Sequence, residues 1–166
     1  MTEETRKDQN ARRLLLIDPS IRVEVARCLA TLAHYGHRPL IHAEVWRPAW
    51  LQAKKKAQGF SSVSWGFHCA TLPDGKPGSL AADIVDCEKF WEADRLFWLT
   101  LGYAARANKL GWGGLWGLKA NARNKLVQAT KFVPSAPVLK GLSFGYDVAH
   151  VETARVSISQ ARAGKR

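Results

Sequence analysis

Acidic residues are scarce in this sequence: 14 Asp and Glu stand against 25 Lys and Arg, a net charge of +11 over 166 residues. Such a balance favours anionic partners, whether nucleic acid, acidic lipid or an anionic cell-wall polymer, and does not choose among them. No apolar run approaches the roughly 20 residues that a membrane-spanning helix requires. The LLLI segment at 14–17 is too short for the apolar region of a signal peptide. The reading is therefore a protein made in the cytoplasm without a signal peptide or transmembrane segment. Cysteine is limited to Cys28, Cys69 and Cys87, an odd number without CxxC spacing. That argues against a disulfide framework and predicts reduced, mostly buried thiols. The glycine-rich GWGGLWG at 111–117 lacks GxGxxG order and a phosphate-loop lysine, which excludes nucleotide binding on that motif. No helix-turn-helix or RNA-binding signature accompanies the charge, so a basic nucleic-acid-binding module stands as an alternative on charge alone.

What is present suits a folded protein. Apolar residues make up 46% of the chain, charged residues 23%, and there are seven tryptophans. That composition supports one domain over 1–166 with a real core, and frayed ends at 1–15 and 160–166.

Asp18-Pro19-Ser20 is a helix-start signal. Ile21, Val25, Leu29 and Leu32 continue it as an apolar face to about His34, with Gly36 as the stop. His34 and His37 straddle that helix end and read as surface histidines. The spacing predicts a strand over Pro39–Trp46, ended by Arg47-Pro48, and a second helix over 49–58 whose Lys54-Lys55-Lys56 run forms a solvated face or holds an anionic polymer. Residues 60–79 read as loop, turn-rich from Thr71 to Ser79. Leu80–Asp86 reads as a buried strand, and 90–110 as the longest helix. Lys119–Lys140 is predicted to be basic and irregular. Strand character returns over 143–151, and 156–159 is predicted as an edge strand.

Asp83 carries the best local argument for chemistry. A carboxylate inside an apolar strand is costly unless it is paired or metal-bound. His68 and His150 would complete a His, Asp, His set, three protein ligands with an open fourth position, as hydrolytic zinc sites have. Asp147 would then serve as general base and acid. Residues three apart on a regular strand face opposite ways, so Asp147 must lie in a turn at Gly145–Tyr146, before a strand that carries His150. Glu152 shares His150's face and either orients that ligand or is solvated. Arg47, where a strand gives way to a helix, reads either as a surface ion pair or as a guanidinium for a substrate carboxylate or polarised carbonyl. Spacing by itself leaves a structural role for His150 open.

The ordered set of Arg47 and Gln52, S-x-x-x-H ending at His68, G-x-L-A-A-D-I-V-D with Asp83, W-G-G-x-W ending at Trp116, and D-x-x-H-x-E from Asp147 to Glu152 resembles the zinc peptidases of the VanY and phage endolysin group. That group comprises D-alanyl-D-alanine carboxypeptidases and L-alanyl-D-glutamate endopeptidases acting on peptidoglycan stem peptides. The resemblance runs from about Pro39 to Glu152. It implies an α+β fold with a small antiparallel sheet, zinc held by His68, Asp83 and His150, and catalysis by Asp147 with Arg47. It also implies substrate contacts from Arg47, Trp116 and Ser64. Aspartate at 147 followed by H-x-E leans toward the endopeptidase branch, with the carboxypeptidase as the alternative. The expected partners are peptidoglycan and anionic envelope polymers, with no specific nucleic acid, for a monomer that reaches the cell wall after release. Three departures from the group's pattern stand out: Gly66 rather than serine two residues before His68, and, in loop-like places, the insert between His68 and Asp83 and the long segment between Trp116 and Asp147.

Overall fold

A computed structural model describes all residues, 1–166. The chain begins with helix α1 (Glu3–Leu14) and helix α2 (Pro19–His34). The Asp18 carboxylate caps α2 by accepting from Ser20 N–H at 2.9 Å, and Pro19 sits in the first turn, where no N–H is needed. Strand β1 (Pro39–Ile41), helix α3 (Ala49–Ala57), strand β2 (Ala81–Asp86) and helix α4 (Arg95–Ala107) follow. Strand β3 (Leu110–Trp112), helix α5 (Ala120–Ala129), strand β4 (His150–Thr153) and helix α6 (Ile158–Arg162) complete the order. The strands form one antiparallel sheet, β1-β2-β4-β3, so the fold is α+β with a small antiparallel sheet. No helix is long and apolar enough to cross a membrane.

The two faces of the sheet differ because side chains alternate along a strand. Ala82 and Ile84 of β2 and Val151 of β4 face a core that α2 and α4 cover with Ile21, Val25, Leu32, Phe97 and Leu101. Asp83, between Ala82 and Ile84, faces the other way, directly opposite His150 in the register of β2 and β4.

Several elements differ from the sequence reading. Strand β1 stops at Ile41 rather than Trp46. Beyond it, the Val45 carbonyl and the Arg47 N–H turn to His68 instead of continuing the ladder. The predicted helix over 90–110 begins only at Arg95, because the Asp94 side chain caps it by accepting from Phe97 N–H at 2.9 Å. Helix α2, with 16 residues, is the longest. The segment 119–140, predicted irregular, contains α5, and the predicted strand over 143–151 starts only at His150. In place of an edge strand at 156–159, Ser157 and Gln160 form a reciprocal capping box that starts α6.

Both chain ends, predicted to fray, are tied down. Asn10 of α1 accepts from Ile41 N–H at 2.8 Å and donates to Pro39 O at 3.0 Å, while buried Arg6 donates to the same carbonyl at 2.6 Å. At the other end, Arg166 Nε lies 2.9 Å from the buried Asp18 carboxylate.

Candidate metal centre

His68, Asp83 and His150 arrive from three places and meet at one point. His68 sits in a short 3-10 turn, Phe67–Cys69. The turn-rich insert after it folds back on itself: Gly78 N–H donates to Ala70 O and Leu80 N–H to Phe67 O, at 3.2 and 3.0 Å. That return sets His68 beside β2 despite the insert. His68 Nε2 then lies 3.3 Å from His150 Nδ1 and 3.5 Å from Asp83 Oδ1, and His150 Nδ1 lies 3.0 Å from Asp83 Oδ1. All three side chains are buried.

Hydrogen bonds behind the two rings decide which nitrogens face inward. His68 Nδ1–H donates to the Val45 carbonyl at 2.8 Å, leaving Nε2 as an acceptor. His150 Nε2–H donates to Glu152 Oε2 at 3.0 Å, which turns Nδ1 toward Asp83 and His68. This is the arrangement by which carboxylates and backbone carbonyls orient metal-ligating histidines. Arg47 Nη2 donates to Asp83 Oδ2 at 2.8 Å, so Oδ1 is the carboxylate oxygen that faces the two rings.

Three acceptor atoms thus converge in a buried place, and a cation has to sit among them. A proton on His150 Nδ1 is one choice, and it must be shared between Asp83 and His68. A metal ion engages all three at once. The edges of the triangle, 3.0 to 3.5 Å, lie close to those of a tetrahedral zinc site, about 3.3–3.6 Å for metal–ligand bonds of about 2.0–2.2 Å. The residues therefore fit zinc.

Charge in the metal-free protein follows the same geometry. Burial opposes ionisation of Asp83, yet the neighbouring His68 and His150 outweigh it and hold the carboxyl well below the usual range. Burial likewise opposes a charge on His150, but hydrogen bonds to Asp83 and Glu152 push it up to about 10. Asp147 moves the other way: burial raises its carboxyl above the usual range, and the Asp83 charge adds to that.

Asp147 lies just before β4, and His150 N–H closes a turn onto its carbonyl at 3.2 Å. Two glycines make this approach possible. A Cβ on Gly113 would fall 2.4 Å from Asp147 O, and one on Gly145 would fall 2.2 Å from Trp116 O. The WGG turn and the stretch before Asp147 are therefore packed backbone to backbone.

A cavity of about 1100 Å³ opens over the centre. Arg47, His68, Asp83, Asp147, His150 and Glu152 all line it, as does Trp116, whose ring lies 4.9 Å from that of His150. Gln52, buried, donates to Ser61 Oγ and Val63 O and so pins the loop along one wall. On that wall Ser61 and Ser62 line the cavity, whereas Ser64 is exposed and does not. Sequence reasoning missed His42, Trp91, Arg123 and Tyr146, which also line it. Only His42 carried a signal, since it shares a face with Glu44 in the predicted strand. His34 and His37 take no part; His34 is exposed and His37 Nε2 lies 3.1 Å from Thr100 Oγ1.

Fold and centre together define an α+β protein in which the small sheet and a neighbouring 3-10 turn bring together a buried His, Asp, His group suited to a metal. The crystal structure of the L-Ala D-Glu endopeptidase ChiX of Serratia marcescens shares this fold, with a TM-score of 0.52 over 87% of this chain and 86% of that one. Sequence identity is 15%, so the likeness is one of fold. No protein-family model matches the sequence, and no curated protein matches it.

Proposed function

We propose that this protein is a zinc-dependent peptidase that cuts peptidoglycan stem peptides at the bond between L-Ala and D-Glu. The observation that carries this reading is the buried triangle of His68 Nε2, Asp83 Oδ1 and His150 Nδ1, with its zinc-sized edges. Zinc bound there supplies Lewis acidity, polarising a carbonyl and lowering the pKa of water. The fold shared with an L-Ala D-Glu endopeptidase supports the choice of bond. So does the resemblance of the Asp147–Glu152 motif to the endopeptidase branch.

The chain's own residues then have distinct tasks. Asp147, with its raised carboxyl on the cavity, takes a proton from the attacking water and returns it to the leaving amine as the C–N bond breaks. Arg47 fixes Asp83 through Oδ2, and its remaining N–H groups are assigned to the substrate carbonyl oxygen. Glu152 holds the His150 ring, and Trp116 walls the cleft beside it. Ser61 and Ser62 replace Ser64 as the serines at the substrate. We assign the protein the role of a phage-type lysis enzyme, a monomer acting on the wall after release, with its positive charge favouring anionic envelope polymers.

The test is digestion of purified peptidoglycan, with and without a chelator, followed by mass analysis. The expected product is a new D-Glu N-terminus, lost on chelation and restored by zinc. Release of free D-alanine would assign the carboxypeptidase reaction instead. Full activity in demonstrably metal-free protein would end the zinc reading.

A further inference from the structure

Three Lys and Arg side chains line the cavity, and two of them are already engaged. Arg47 is held by Asp83 and lies 3.7 Å from Glu44, and Lys55 lies 2.6 Å from the same Glu44. The third, Arg123 of α5, is exposed on the cavity and meets no carboxylate. No acidic residue accompanies it in sequence either, since none occurs between Asp94 and Asp147. Helix α5 packs against the Gly113–Leu115 turn, which leads into Trp116. Trp116 in turn bridges from His150 to Tyr146, with ring centroids 4.9 and 6.0 Å away. Tyr146 is 79% exposed. An unpaired guanidinium and an open aromatic thus line the same cavity as the metal centre.

We propose that Arg123 is a carboxylate-binding subsite that takes a free carboxylate of the bound peptide close to the scissile bond. The inference rests on the peptidase reading above and names the chemistry that reading leaves open. Arg47 is the other guanidinium on the cavity, but its strongest contact is already a carboxylate of the protein. A D-Glu residue joined onward through its side-chain carboxyl keeps its α-carboxylate free, next to the amine that leaves. The planar fork of an arginine suits that anion better than a lysine does. The segment that delivers Arg123 is the long stretch between Trp116 and Asp147, so this contact belongs to what distinguishes this chain's cleft.

The experiment compares two synthetic stem peptides, one with the free α-carboxylate on D-Glu and one with that group as the amide. The readout is the ratio of kcat/KM, acid over amide, in native protein, Arg123→Gln, Arg123→Lys and Lys125→Gln. The ratio should fall roughly five- to tenfold in Arg123→Gln, the scale of one partly solvated charge-assisted contact. The change should lie mainly in KM, with partial recovery in Arg123→Lys. Lys125→Gln removes the same charge from the same helix and should leave the ratio within about twofold, since Lys125 does not line the cavity. An unchanged ratio in Arg123→Gln overturns the subsite while the peptidase reading stands. An equal fall in Lys125→Gln also overturns it, because the summed field and not a contact would be responsible. Cleavage of neither peptide by native protein overturns the peptidase reading itself.

Discussion

The proposed function gives two carboxylates at the centre different tasks, and substitution separates them. Glu152 holds the back of the His150 ring, so Glu152→Ala should weaken zinc binding by roughly 10- to 100-fold, measured against a chromogenic chelator. Asp147 stands outside the His68, Asp83, His150 group, and in its proposed role as acid and base Asp147→Asn should keep zinc and lose roughly 100- to 10,000-fold in turnover. Normal turnover in Asp147→Asn would remove its role as acid and base. The types of residue at this site were legible because a buried carboxylate demands a partner and two histidines were at hand. Glu152's contact was legible too, since alternation puts it on His150's side of β4. The bond from Arg47 to Asp83 was not, because nothing in their spacing says that a chain leaving the sheet at Ile41 will return its guanidinium to β2. The wall of Tyr146 and Arg123 was hidden for the same reason: cavity lining is set by how loops pack.

At the scale of elements, α2 and β2 were legible from apolar pattern and end signals, and α3 from its end signals alone, Pro48 before it and Gly59 after it. Helix α5 was missed because it buries little beyond Leu126 and Ala129 and so shows a faint stripe. Helix α6 was missed although Ser157 and Gln160 have capping-box spacing, since Val156 and Ile158 suggested a strand. Strand β4 was placed too early, because Phe144 and Tyr146 look like strand residues but precede a turn. The WGG turn and that turn meet with no room for a side chain between them. Gly113→Ala places a methyl 2.4 Å from Asp147 O and 3.1 Å from His150 Cβ. It should destabilise the protein by about 1–3 kcal/mol. It should also weaken zinc binding, which Ala substitution at an open glycine such as Gly75 should not do; thermal melts with and without zinc check both.

For the whole molecule, the centre links stability to pH when metal is absent. His150 sits above its unfolded value of about 6.5, reaching about 10 in the folded protein. Its contribution is complete below about pH 6.5 and is lost as pH rises toward 10. Asp83, held low, contributes above its unfolded value and loses that contribution as acid is added. Metal-free protein should therefore melt at a lower temperature at pH 10 than at pH 6.5, and zinc should flatten that alkaline fall by taking the proton's place. A melting temperature that stays level in metal-free protein would mean that His150 is not charged. The first helix has a different kind of consequence. Asn10 gives and takes hydrogen bonds along the margin of β1 as another strand would. Without that cover, Pro39 and Ile41 would offer an open ladder to any passing strand, including that of a second copy. Helix α1 thus closes the one margin of the sheet at which β1 has no strand partner.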